Sequence, residues 1–259
     1  MLYKNLLVVS DKFKNFAFNK DVITLSDLYD LINAENLIYN KRQKTTLILG
    51  QGINSENIEL LLTSIKQSKN HQYFDINLLQ TNHKKASKKL THKHSAENIL
   101  ISEPSRNSEL TFTSHLLIDE QCDMMSDHQT GLHVQGMLLV EAARQLYLAI
   151  MEKFILPSYE KSLYFVFNDL KVNYNRFNFP LPSEIKAEII NSGESKGKNK
   201  NYKMNVNIVQ CETVCVSMLL EGTMMSSKLV SNMETKLSNL SVESYLSQFQ
   251  LPEEGVEHA

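Results

Sequence analysis

Apolar and polar positions follow two regimes along the chain. Over the first eighty residues, short apolar runs alternate with amphipathic stretches. NLLVVS (5–10), TTLILG (45–50) and YFDINLLQ (73–80) read as strands. SDLYDLINAENLIY (26–39) reads as a helix capped by Ser26. NSENIELLLTSIKQS (54–68) reads as a second, capped by Asn54 or Ser55, with Ile58, Leu61, Leu62 and Ile65 on one face. Strand, helix, strand, helix, strand implies right-handed parallel crossovers, and so a small three-layer α/β domain over residues 1–82.

Beyond residue 94 the pattern changes. AENILISEP (96–104) and SELTFTSHLLID (108–119) are strand-like, and an apolar stretch from Gly131 to about Ile155 is long enough for one helix. SLYFVFNDLKVNY (162–174), SEIKAEIINSG (183–193), NYKMNVNIVQ (201–210) and TVCVSMLLEGTMM (213–225) follow as four strands. One helix and then consecutive strands predict an α+β unit, an antiparallel sheet wrapping a long central helix, over residues 95–230. HKKASKKLTHKH (83–94) reads as a basic linker between the two units. Residues 231–259 read as a polar tail with a short helix at SVESYLSQF (241–249).

Composition narrows the job without naming it. The net charge of −2 argues against a general nucleic-acid binder. No apolar run reaches the length of a membrane span, and the N-terminal stretch lacks a signal-peptide core, which points to the cytoplasm. Cys122, Cys211 and Cys215 have no paired spacing and read as reduced thiols; Cys122 reads as packed. His92 and His94 lack a third ligand and His115 reads as a sheet residue, so no metal site is expected. GQGINS (50–55) joins a strand to a helix but is not a dinucleotide fingerprint.

The chemistry gathers around GLHVQGMLLVEAARQ (131–145). Met137, Leu138, Val140, Ala142, Leu146 and Leu148 suit a buried helix, so Glu141 and Arg144 need a reason. Gly131 and Gly136 allow a tight turn and close backbone approach where the helix N-terminus has unpaired N–H groups, able to polarise a carbonyl. A carboxylate there is expected to have a raised pKa, making Glu141 a general acid or base. Arg144 is expected to orient it or grip a phosphate, with Gln145 on neighbouring surface. His133 and His128 are the other candidate proton carriers. The alternative for Glu141 and Arg144 is a structural ion pair.

DHQTGLHVQGMLLVEAARQ (127–145) and HKHSAENILISE (92–103) resemble the A-factor biosynthesis hotdog family, the γ-butyrolactone autoinducer synthases, whose pattern reads H-V-P-G-M-x-L-x-E-A-A-R-Q. The resemblance spans about residues 90–225. Gln135 stands at the family's proline, and one repeat is visible where usual members carry two. The resemblance implies a hotdog fold. It also implies transfer of a β-ketoacyl group, from a carrier-protein or coenzyme A thioester, to the hydroxyl of dihydroxyacetone phosphate on the way to a butyrolactone-type signal. No cofactor is implied. Catalytic residues would be Glu141, His133 and His128, with substrate against Gly131, Gly136, Met137, Arg144 and Gln145. A single repeat implies a homodimer, and Lys84, Lys85, Lys88 and Lys89 would dock an acidic acyl carrier protein. The same residues also suit a β-hydroxyacyl thioester dehydratase, or a protein that binds or scaffolds an acyl thioester without turning it over.

Overall fold

The computed structural model describes residues 5–35, 44–79, 83–126, 131–156, 163–194 and 200–249. The N-terminal unit comprises β1 (Asn5–Val9), β2 (Val22–Thr24), α1 (Leu25–Asn33), β3 (Thr45–Leu49), α2 (Ser55–Gln67) and β4 (Phe74–Asp75). Its strands form one parallel sheet in the order β2-β1-β3-β4. The three-residue β2 is too short for a period-two pattern to reveal. The chain returns from β1 to β2 through two 3-10 turns, Asp11–Phe13 and Phe16–Phe18, without an α-helix.

Local chemistry shifted several expected boundaries. Thr24, not Ser26, caps α1, its hydroxyl accepting from the Asp27 N–H, while Ser26 bonds Asp11. Residues 36–39 of the expected first helix lie outside the described residues. Asn54 caps α2 as anticipated. The third expected strand shortens to Phe74–Asp75 and gives way to a 3-10 turn at Asn77–Leu79.

β1 shows how the two units join. Leu6 and Val8 face a core with Leu28, Ile32, Leu61 and Ile65, so α1 and α2 share one face of the sheet. Val9 on the other face belongs to the large core of the C-terminal unit, which therefore supplies the third layer. Gln51, 5% exposed, fastens the joint. Its side-chain amide donates to the Leu116 carbonyl at 2.9 Å and its carbonyl accepts from the Ile118 N–H at 2.9 Å. Gln51→Leu strands both buried backbone groups. We expect a loss of about 2 kcal/mol in urea unfolding, because unsatisfied buried groups cost their full desolvation.

The expected linker is part of the C-terminal unit. Ser87 caps a short helix, α3 (Lys88–Thr91), and Ala86 and Thr91 are buried. The segment then runs through buried Ile99, Leu100 and Ile101. In place of the expected strand, only Ile101 and Ser102 form isolated bridges, and Gln145 takes backbone groups of Asn98 and Leu100. Its carbonyl accepts from Leu100 N–H at 2.9 Å and its amide donates to Asn98 O at 2.8 Å.

Around them stand β5 (Ser105–Arg106), β6 (Thr111–His115), α4 (Gly136–Ile150), β7 (Leu163–Tyr174), β8 (Glu184–Glu194), β9 (Lys200–Gln210) and β10 (Thr213–Ser226). The antiparallel sheet has the order β5-β6-β8-β9-β10-β7 and wraps α4, as the pattern predicted. Alternate residues, such as Met204, Val206 and Ile208, point inward onto Leu138, Ala142, Leu146 and Tyr147. Gly222 lies at a bulge in β10, where a Cβ would sit 2.8 Å from the Tyr147 hydroxyl, so glycine lets that large side chain close the core. A π-helical turn, Met151–Ile155, extends α4. The tail forms a helix far longer than expected, α5 (Ser227–Ser247), capped by Ser226 and mostly exposed.

Candidate active site

The N-terminus of α4 opens onto a cavity of about 700 Å³. His133, Val134, Gly136 and Leu139 form one wall; the other is the segment Tyr174–Phe179, which leaves the end of β7. The walls are joined where Val134 N–H donates to the Asn178 carbonyl at 2.8 Å. Gln135 precedes the helix without capping it by its side chain, so no cap competes for the first-turn N–H groups. A Cβ on Gly136 would lie 2.8 Å from the Tyr174 ring. Glycine therefore keeps this mouth open.

The lining is largely apolar and aromatic, with one cation, Arg176, and no carboxylate among the described residues. Asn178 is 2% exposed; its amide donates to Ser183, while its side-chain carbonyl has no hydrogen-bond partner among the described residues. His133 is half-buried, its ring 4.7 Å from that of Phe177.

Glu141 is elsewhere. Five residues on from Gly136, it lies about 140° around the helix. Arg144 donates to it through two nitrogens at 2.7 and 2.8 Å, Lys93 lies 2.7 Å away and Gln145 donates at 3.0 Å. Burial pushes the carboxyl up, but the hydrogen bonds from Arg144, Lys93 and Gln145, with the charge on Arg144, outweigh it and hold the pKa at about 2. The expectation of a raised pKa is therefore corrected: Glu141 is a fixed carboxylate, unable to serve as a proton donor near neutral pH. Arg144 is correspondingly engaged with Glu141.

Other expected positions divide similarly. Gly131 takes a left-handed φ of 69°, as its turning role requires. Gln145 is fully buried as a clasp on residues 98–100, not a substrate contact. Met137 is 63% exposed, on the side of the first turn of α4 opposite the buried Leu138 and Leu139; the expectation that it packs inside is corrected. Lys85 pairs with Asp119 at 3.5 Å, while Lys84, Lys88 and Lys89 are exposed. His128 lies outside the described residues. Among those described, no group of three His, Cys, Asp or Glu side chains is placed to hold a metal ion, and no helix is long and apolar enough to cross a membrane. Arg176 and Asn178 were missed. The available signal was YNRFNF (174–179), an arginine among alternating aromatic residues directly after a strand.

The model of the A-factor biosynthesis hotdog domain matches residues 74–226. The chain belongs to that family. The match begins ahead of the basic stretch, in keeping with the packing of Ala86 and Thr91 into the hotdog. No curated protein sequence matches the chain. Similar solved structures include a thioesterase from Haemophilus influenzae, with 16% identity over 57% of this chain and 96% of that one and a TM-score of 0.40. Another is a hypothetical thioesterase with coenzyme A from Streptococcus pneumoniae, with 14% identity over 48% of this chain and 88% of that one and a TM-score of 0.36. The A-factor biosynthesis motif thus brings His133, Gly136 and the start of α4 to the cavity, and carries Glu141 and Gln145 away from it.

Proposed function

We propose that this chain is an acyl-thioester enzyme that transfers a β-ketoacyl group to the hydroxyl of a phosphorylated C3 acceptor, dihydroxyacetone phosphate, with His133 as the base. The observation that carries the reading is the cavity: apolar walls for an acyl chain, a helix N-terminus and a histidine at one end, and a single arginine as its charge.

His133 takes the hydroxyl proton as the oxygen attacks the thioester carbonyl carbon. The oxyanion is held by backbone N–H groups at the start of α4, a placement that stabilises developing negative charge. Collapse expels the thiolate, which receives the proton from His133, leaving the acyl ester and the free carrier thiol. Arg176, in place of the engaged Arg144, meets the acceptor phosphate. The carrier is a protein or coenzyme A, with exposed Lys84, Lys88 and Lys89 as the docking surface for an acidic carrier. The low pKa of Glu141 weighs against the dehydratase reading, which needs a helix acid that donates a proton.

The active species is proposed to be a homodimer paired through β7. That strand is a twelve-residue edge exposing Tyr164, Leu170 and Tyr174. Long apolar edges seek a partner strand. Sedimentation is expected to give twice the chain mass, and a monomer would count against this assembly.

The deciding assay follows thiol release from a β-ketoacyl thioester with and without dihydroxyacetone phosphate. Release that requires the phosphate and yields the ester mass supports the transferase. No release under either condition, with the thioester still bound, favours the binding role instead. Arg176→Ala is expected to raise the acceptor KM at least about tenfold with little change in the thioester KM, the scale of one charge-assisted hydrogen bond. An unchanged acceptor KM would remove Arg176 from the site.

A further inference from the structure

We infer that Phe16, in the turn between β1 and β2, is a positioning residue for the cavity, and that through it the N-terminal unit sets which acyl chains fit. The inference rests on the cavity being the acyl site. Phe16 is 9% exposed and does not line the cavity, yet it holds both walls. Its backbone N–H donates to the Gly131 carbonyl at 2.8 Å, two residues before His133. Its ring stacks on Phe179, centroids 5.7 Å apart and planes 22° apart. Phe179 lies 6.4 Å from Phe177, which in turn lies 4.7 Å from the His133 ring. Four rings therefore run from the N-terminal sheet to the candidate base.

The approach is close on both sides. A Cβ on Gly131 would lie 3.0 Å from the Asn15 amide nitrogen, so the loop rests directly on the turn that carries Phe16. On the opposite wall Gln51 N–H donates to the Pro180 carbonyl at 3.0 Å. Phe179 and Phe177 are 38% and 66% exposed, so the stack on the buried Phe16 ring is a main packing contact holding Phe179 in place. Removing the Phe16 ring leaves a space that Phe179 can enter, and the apolar wall moves with it. A long acyl chain reaches that wall; an acetyl group does not.

The test uses the full chain with Phe16→Ala and Phe16→Leu. Leu28→Ala serves as control, since it removes a buried side chain from the same unit but on the face turned away from the hotdog. Binding of decanoyl-CoA and acetyl-CoA is measured by calorimetry, and amide exchange is followed in peptides covering 131–139 and 176–181. Phe16→Ala is expected to lower the preference for the decanoyl chain about tenfold and to speed exchange in both peptides, with Phe16→Leu intermediate and Leu28→Ala inert in both respects. The inference is overturned if Leu28→Ala has the same effects, or if Phe16→Ala changes neither chain preference nor exchange. If the unaltered protein binds neither thioester, the proposed function fails by itself, and faster exchange in both peptides confined to the Phe16 variants still decides whether Phe16 positions the walls.

Discussion

Replacing Glu141 by alanine is expected to lower the melting temperature by about 10 °C, corresponding to about 3 kcal/mol or more of lost stability. The carboxylate receives hydrogen bonds from Arg144, Lys93 and Gln145, and its side chain is 15% exposed. Its removal leaves a guanidinium and an ammonium crowded without their shared anion, and frees the Gln145 amide that clasps Asn98. Glu141→Gln keeps the shape and loses the charge, which allows the electrostatic part to be read by pH. The folded pKa of about 2 lies below the ordinary 4.5. The stabilisation is therefore complete above about pH 4.5 and is lost as pH falls towards 2, amounting to about 3 kcal/mol in all. The stability gap between the unaltered protein and Glu141→Gln should narrow across that window in urea titrations. A gap that stays constant there would mean that Glu141 is not held ionised by these partners.

The same residue shows how far sequence carries. A glutamate in an apolar helix signalled chemistry or an ion pair, and Arg144 and Gln145 stood beside it on α4, but the further hydrogen bond from Lys93, forty-eight residues earlier, was not legible. No spacing rule on α4 reports a partner that arrives from a stretch resembling a linker. Four sheet strands were legible because each runs eleven to fourteen residues, and in β8, β9 and β10 the inward residues alternate. The segment 96–104 was misread as a strand because its apolar run, Ile99–Ile101, is buried in the same way, while its backbone partners are a glutamine side chain and isolated bridges. His133 and Gly136 were legible from the motif itself. Arg176 and Asn178 were not, because they reach the cavity only when the end of β7 folds back over the start of α4. Phe16 illustrates the strongest limit, since its contacts with Gly131 and Phe179 span 115 and 163 residues.

His133→Ala should slow thiol release by about 10² to 10⁴, the usual contribution of a positioned general base. The side chain is half-buried at an open wall and the variant leaves the Val134–Asn178 bond intact, so folding should change little. On the proposed mechanism the start of α4 still holds the oxyanion, so a residual rate above solution is expected. Thioester affinity should also survive, which separates a lost base from a collapsed cavity. Added imidazole should restore part of the rate in the alanine variant, a response that a merely structural histidine would not give. Glu141→Gln, assayed where it remains folded, should stay within about tenfold of the unaltered rate, because a fixed carboxylate about 140° around the helix carries no proton. A His133→Ala rate equal to the unaltered one would shift the base to another residue. Inactive Glu141→Gln with intact folding would restore that carboxylate to the chemistry, most simply by bringing it from one subunit to the cavity of the other.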